Sequence, residues 1–293
     1  MTLELIEEPA AWRAMLDACR TKGQRVGLVP TMGALHAGHL SLIRRAAADC
    51  DVVTLTDYVN PLQFGPTEDL AAYPRDLDRD CRLAGEAGAE VVFAPTTAEL
   101  WPESPRTSVR VEGLTEVMEG SSRPGHFDGV ATVVAKLFAL AGPCWAYFGE
   151  KDFQQLAVIR RMVADLSLPI EVIGCPTVRD PDGLALSSRN AYLTSDERGA
   201  AARIYYALLA GKRAIEDDGV DDPQLVSQAM ADALAAGAHF ELDYAEVAHP
   251  DDLTRPKRVQ GEVRLLIAAR LGRARLIDNI AATAPGPTEG GIP

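Results

Sequence analysis

Apolar residues at Trp12, Met15, Leu16 and Cys19 recur at steps of three and four, which predicts a helix over 9–22 that stops at Gly23. The run Arg25-Val-Gly-Leu-Val29 reads as a short buried strand. Helical and extended patterns then alternate: helix over 38–49, strand over 51–56, helix over 76–87 and strand over 90–93. An irregular stretch holding Trp101-Pro102 and a strand over 107–111 precedes a helix over 127–141. A strand over 145–148, a helix over 153–165 and a strand over 170–173 complete the series. Strand and helix alternating with short joins imply a parallel sheet covered on both faces. Ligands of such sheets bind at the carboxyl ends of the strands.

The pattern changes after Thr177. Residues 195–218 form a long Ala-rich helical segment and 222–236 another, and segments 240–247, 263–268 and 274–280 alternate like strands of an antiparallel sheet. The organisation expected is therefore α/β: a doubly wound parallel-sheet domain over 1–177, then a second, smaller α+β domain over 178–281. Residues 282–293, rich in Pro and Gly, are expected to be a flexible tail.

Composition narrows the chemistry. The 29 Lys and Arg against 42 Asp and Glu give a net charge of −13. That balance disfavours a general nucleic-acid partner, because phosphate contacts need a basic surface. An anionic substrate must instead be met by a few placed donors in a locally positive pocket. The five cysteines contain no C-x-x-C pair and are expected to be reduced thiols. With acids near the N-terminus and no long apolar run, the protein is expected to be cytoplasmic and not associated with a membrane.

The first strand runs into Pro30-Thr-Met-Gly-Ala-Leu-His36-Ala-Gly-His39, where the next helix begins. Two histidines three apart at a helix start lie beside unpaired backbone N–H groups and the positive end of the helix dipole, a place that attracts phosphate. Gly33 and Gly38 allow close backbone approach. The plainer reading makes His36 and His39 a helix cap and a surface residue. Asn60 and Gln63 follow the strand over 51–56, so their amides are expected at its carboxyl end, able to donate to a carboxylate and accept from a hydroxyl. Lys151 and Asp152 follow the strand over 145–148 after Gly149, taken as a tight-turn position, with Lys151 a point charge for phosphate oxygens. Ser187-Ser188-Arg189 lies in a polar loop and offers hydroxyls and a forked guanidinium to a triphosphate.

His36-Ala-Gly-His39 resembles the H-x-G-H signature of the nucleotidyltransferase superfamily, whose sheet is Rossmann-like. The longer string from Pro30 to His39 is similar to the pantoate–β-alanine ligase family. So are, in order, Val59-Asn-Pro-Leu-Gln-Phe64, Tyr73-Pro-Arg75, Arg123-Pro-Gly-His-Phe127, Phe148-Gly-Glu-Lys-Asp-Phe-Gln-Gln-Leu156 and Asp182-Gly-Leu-Ala-Leu-Ser-Ser-Arg-Asn190. The likeness runs from about residue 2 to about residue 281. It implies that ATP is bound by Met32, Gly33, Ala34, Leu35, His36, Ala37, Gly38 and His39 in the first block. Gly149, Glu150, Lys151 and Asp152, and Val178 with Leu186, Ser187, Ser188 and Arg189, complete that set. Gln63, Gln155 and Asn60 are implied for pantoate and Gln63 for β-alanine, with His39, His36 and Lys151 catalytic and His39 the proton donor. The chain departs from the family in carrying Asp57-Tyr58 where an apolar pair is usual, and Arg79-Asp80 where adjacent acids are frequent.

The reaction the resemblance implies joins pantoate to β-alanine through a pantoyl adenylate, with release of pyrophosphate and then AMP. Mg²⁺ is expected to arrive with ATP, with no protein ligand assigned, and a homodimer is implied. The smaller domain is expected to act as a partial lid. A plain adenylyltransferase and a non-catalytic nucleotide-binding regulator are the competing readings, and the acidic charge disfavours a tRNA synthetase.

Overall fold

A computed structural model describes residues 3–65, 70–71, 73–236 and 240–285. Two compact units are present, Met1–Glu150 with Gln154–Pro176, and Lys151–Phe153 with Thr177–Pro293.

The first unit contains β1 (Glu4–Ile6), α1 (Pro9–Thr21), β2 (Val26–Thr31), α2 (Ala37–Asp49), β3 (Val52–Asp57), α3 (Leu77–Ala87) and β4 (Val91–Phe93). Next come α4 (Thr97–Leu100), α5 (Glu119–Ser122), α6 (His126–Ala141), β5 (Cys144–Gly149), α7 (Phe153–Asp165) and β6 (Ile170–Cys175). The six strands pair in parallel in the order β1-β4-β3-β2-β5-β6. The chain winds from β2 to β3 and β4 on one side and returns to place β5 on the other. β2 and β5 therefore flank the switch point, where such sheets bind ligands.

Alternation along the strands explains the two covered faces. Val53, Leu55 and Val92 pack with Leu42, Ile43 and Ala46 of α2 and Ala84 of α3. Thr54 and Phe93 turn the other way, to α1, where Trp12 donates its indole N–H to Thr54 Oγ1 at 2.9 Å and stacks on Phe93 with ring centroids 4.2 Å apart. Arg20 of α1 donates to Pro143 O at 2.9 Å just beyond α6, and Phe138 of α6 meets Phe148 of β5 edge-on. Burying Trp12 completely costs little because its one polar atom is paired.

The second unit contains α8 (Ser195–Ala201), α9 (Arg203–Glu216), α10 (Pro223–Ala235) and an antiparallel sheet β7-β8-β9 (Phe240–Ala248, Glu262–Leu271, Ala274–Thr283). Val263, Leu265, Ile267 and Ala269 alternate along β8 and pack with Ile204, Leu208, Val226 and Met230 of α9 and α10 into one core. The fold is thus the expected Rossmann-like parallel sheet with a smaller α+β unit after it.

Local expectations fail in four places. Residues 107–111 form no strand; Val109 N–H donates to Thr132 Oγ1 of α6 instead of to a sheet neighbour. The helix predicted over 195–218 divides at Ala202, where the hydrogen-bond ladder breaks while the backbone stays helical, so composition carries no sign of it. Gly149 makes no tight turn: β5 extends through it and the turn follows, as a 3₁₀ segment over Glu150–Asp152. β9 runs on to Thr283, so residues 282 and 283, expected in the tail, belong to the sheet, and residues 286–293 lie outside the described residues. All five cysteines are free thiols; burial raises Cys144 to about 12 and Cys175 to about 11.

Candidate active site

In the first unit, β2 delivers the chain into a loop that Gly33 and Ala34 turn with left-handed backbone, φ 75° and 52°. Glycine is required at 33 for space as well, because a Cβ there would overlap the Asp57 carboxylate. Asp80 of α3, fully buried, accepts the backbone N–H groups of Ala34 at 2.6 Å and Leu35 at 2.9 Å, with Arg79 beside it at 3.4 Å. Thr31 Oγ1 accepts from Gly33 N–H and donates to Thr56 O, closing the loop onto β3.

The loop ends at His36, the N-cap of α2, whose Nδ1 accepts the Gly38 N–H at 3.1 Å. In the neutral ring this leaves the proton on Nε2, a donor for an anion. His36 and His39 stack with centroids 4.0 Å apart. Of the two readings the sequence offered for His36, the structure shows the cap, which uses Nδ1. His39 is one turn inside the helix, next to the positive end of its dipole.

Asp57, the last residue of β3, faces Gly33. Burial, and then the charge of Asp80, push its carboxyl up to about 6.

Asn60 and Gln63 do stand beyond the carboxyl end of β3, in a 3₁₀ turn over Pro61–Gln63. Asn60 is completely buried and its amide is occupied: Nδ2 donates to Gln63 Oε1 at 3.0 Å and Gly129 O at 3.1 Å, and Oδ1 accepts from Leu62 N–H. Its part is to orient Gln63, whose Nε2 also lies 3.0 Å from Met32 Sδ. A Cβ on Gly129 would overlap the Leu62 carbonyl, so the turn seats on α6 only because residue 129 is glycine. His126 holds the same turn. It lies 2.8 Å from Gln63 O and 2.9 Å from Arg123 Nη1; a carbonyl only accepts and a guanidinium only donates, so His126 carries its proton on Nδ1.

Gln154 and Gln155 differ in use. Gln154 is buried and clamps Leu114 O, Val117 O and Glu119 N–H, whereas half-buried Gln155 is the residue expected to meet pantoate.

In the second unit, Lys151, Ser187 and Arg189 line one cavity together with Asp278 and Arg275. A hairpin brings the loop there: Leu186 N–H donates to Val178 O at 2.9 Å, and Arg179 bridges Ala185. Arg179 anchors the hairpin by a bidentate pair to Asp278, Nη1 to Oδ2 at 2.5 Å and Nη2 to Oδ1 at 2.8 Å, and lies over the Tyr205 ring. Burial pushes the Asp278 carboxyl up, and Arg179 opposes that shift. Ser187 caps the turn Ser188–Tyr192, accepting from Arg189 N–H. The Lys151 side chain is 16% exposed and its Nζ lies 3.3 Å from Asp152 Oδ1.

Among the described residues no three His, Cys, Asp or Glu side chains gather to hold a metal ion. The Asp80 carboxylate, the nearest approach to a family acid pair, is taken up by two N–H groups and Arg79. These residues do not form a metal cage.

The sequence reading did not single out Asp80, Asp278 or Asn279, and it quoted Arg123 and His126 only as part of a motif. Asp80, Asp278, Asn279 and His126 act by pairing with residues distant in sequence, which leaves no periodic signal, and Arg123 meets His126 three residues on. The one sequence sign was the Arg79-Asp80 departure.

A family model described as pantoate-beta-alanine ligase matches residues 4–281. A pantothenate synthetase of Moorella thermoacetica is 50% identical, over 95% of this chain and 98% of the relative, and one of Mycolicibacterium smegmatis is 51% identical, over 95% and 87%. The crystal structure of the Thermus thermophilus pantothenate synthetase superposes with a TM-score of 0.89 at 48% identity, covering 95% of this chain and 99% of that one. A Francisella tularensis pantoate-beta-alanine ligase, solved with beta-gamma ATP and beta-alanine, gives 0.78 at 32% identity, covering 95% and 97%. Likeness of this extent, in sequence and in fold, shows that the chain belongs to the pantoate–β-alanine ligase family.

Proposed function

We propose that this protein condenses pantoate with β-alanine at the expense of ATP, through a pantoyl adenylate. The observation that carries the reading is the cavity in which Lys151, Ser187 and Arg189, separated by some 36 to 38 residues of chain (187 − 151 and 189 − 151), come together in a molecule of net charge −13. The recess is small, about 10 Å³, but the ammonium, hydroxyl and guanidinium that border it, beside Arg275 and the Asp278 carboxylate, are groups of the kind that bind phosphate oxygens. The relative solved with an ATP analogue and β-alanine supports the substrate assignment.

In the first step a pantoate carboxylate oxygen attacks the α-phosphorus of ATP and pyrophosphate leaves. Charge accumulates on phosphate with the attacking and leaving oxygens in line, so the protein contributes position and electrostatics. His36 offers its Nε2–H, His39 a donor at the helix start, and Lys151, Ser187, Ser188 and Arg189 the countercharge and hydroxyls. The backbone of Met32–Gly38, Gly149–Asp152, Val178 and Leu186 completes the nucleotide contacts. Gln63, oriented by Asn60, and Gln155 hold pantoate. In the second step the β-alanine amine, placed by Gln63, attacks the acyl carbon, a proton leaves nitrogen, and AMP departs. Mg²⁺, expected to arrive with ATP, would supply countercharge on the triphosphate, and no protein ligand is assigned to it.

No helix among the described residues is long and apolar enough to cross a membrane, and a cytoplasmic homodimer belongs to the same reading. The test is AMP production that requires ATP, pantoate and β-alanine together. Pyrophosphate release with no AMP on adding β-alanine would favour a plain adenylyltransferase.

A further inference from the structure

Lys151 reaches its cavity from a segment of three residues, 151–153, that packs with the second unit while its neighbours on both sides belong to the first. Two buried residues of the β7-β8-β9 sheet hold that segment. Asn279 of β9, 3% exposed, donates from Nδ2 to Lys151 O at 2.8 Å. Arg264 of β8, 7% exposed, lies with its guanidinium 4.2 Å from the centre of the Phe153 ring. The two are linked, because Arg264 Nε donates to Asn279 Oδ1 at 2.6 Å. β8–β9 register pairs Leu266 with Asn279, which puts Arg264 and Asn279 on the same face of the sheet.

The amide of Asn279 is committed at both ends, and its polarity is dictated: a guanidinium requires an acceptor and a carbonyl requires a donor. The backbone is fixed as tightly, with Asn279 N–H donating to Asp278 Oδ1 at 2.7 Å and Arg179 Nη2 donating to Asn279 O at 3.3 Å. The arginine that anchors the Ser187 loop and the asparagine that anchors Lys151 thus meet on adjacent residues of β9, Asp278 and Asn279. Released from this hold, the Lys151 backbone can turn and its ammonium can settle on Asp152, which already lies 3.3 Å away.

We propose that Asn279, backed by Arg264, is a positioning residue for adenylate formation: it acts through Lys151 and sets the direction in which that ammonium faces the cavity it shares with Ser187 and Arg189. This rests on the role given to Lys151 above. Neither Asn279 nor Arg264 lines that cavity.

The experiment is a double-mutant cycle on single-turnover adenylation with ATP and pantoate, using Asn279→Asp, Lys151→Ala and the combination. Asn279→Asp keeps, and strengthens, the acceptor for Arg264 but sets a carboxylate oxygen against the Lys151 carbonyl. It is expected to slow adenylation by about 10- to 100-fold, a loss typical of a misplaced catalytic group, with the pantoate KM little changed. In the Lys151→Ala background it is expected to cause no further loss. An equal loss in both backgrounds, or an unchanged rate in Asn279→Asp alone, overturns the proposal. A normal rate in Lys151→Ala removes the role of Lys151 itself and the proposal with it, so the two failures are told apart. Asn279→Ser, which shortens the side chain without adding charge, is read in the same cycle, so that a folding failure of the aspartate variant does not decide the outcome.

Discussion

The carboxylate of Asp80 accepts the backbone N–H of Leu35 at 2.9 Å, tying a fully buried acid of α3 to the loop that ends in His36. Its other oxygen takes the Ala34 N–H, so one side chain satisfies two donors where Ala34 holds left-handed backbone. Asp80→Asn replaces one acceptor with an NH₂ group facing an N–H. The expected loss is about 2 kcal/mol of stability, the scale for a charge-assisted hydrogen bond replaced by a buried mismatch. Denaturant titration measures it. Adenylation should fall as well, because the histidine turn loses part of its anchor; native stability in this variant would show that the replaced hydrogen bond contributes nothing.

Gly129→Ala tests how Gln63 is seated. The added methyl would overlap the Leu62 carbonyl, and the 3₁₀ turn must lift off α6, carrying Asn60 and Gln63 with it. Overpacking of this kind costs about 1–3 kcal/mol. The functional signature is a rise in the pantoate KM that exceeds any rise for ATP, read from steady-state kinetics. Equal effects on both substrates would place Gln63 outside the pantoate site.

The alternation of strands and helices was readable because each buried strand and each amphipathic helix repeats its pattern several times. α7 lies where its apolar spacing puts it, over 153–165. β1 was missed because Glu4-Leu-Ile6 is short, stands among acids and buries only Ile6, unlike the wholly buried β4, and its identity comes from pairing with β4. The motif residues His36, His39, Gln63, Lys151 and Arg189 were legible as chemical types at element ends. Their supports were not: Asp80 touches Leu35 across 45 residues and Asn279 touches Lys151 across 128, and buried polar partners chosen by tertiary packing leave no local trace.

Asp57 carries the pH prediction. Its carboxyl is pushed up to about 6 from an ordinary value of 3.8, burial being the larger cause and the Asp80 charge the second. Between about pH 4 and pH 6 the folded protein holds a proton that the unfolded chain has released, so stability falls as pH rises through that window and the deficit persists above it. A shift of about two pH units is worth at most about 3 kcal/mol, and the partial exposure of the group reduces that. Asp57→Asn should therefore raise the melting temperature at pH 7.5 and leave it nearly unchanged at pH 4. Thermal unfolding at both values decides it; a variant less stable at pH 7.5 would mean that the charged form is the one the fold prefers.

His36 has two tasks that substitution can separate. Its Nδ1 caps α2 by accepting the Gly38 N–H, and the proposed mechanism gives its Nε2–H to phosphate. Asparagine is among the best N-caps and keeps the first task, whereas alanine keeps neither. His36→Ala should cost about 0.5–2 kcal/mol relative to His36→Asn, the range for loss of a cap. Both variants should slow pantoyl adenylate formation to the same degree, because asparagine is too short to put a donor where Nε2 stands. Chemical denaturation and single-turnover adenylation measured on the same preparations separate the effects. Recovery of the rate along with the cap in the asparagine variant would reduce His36 to a capping residue and leave the work at phosphate to His39.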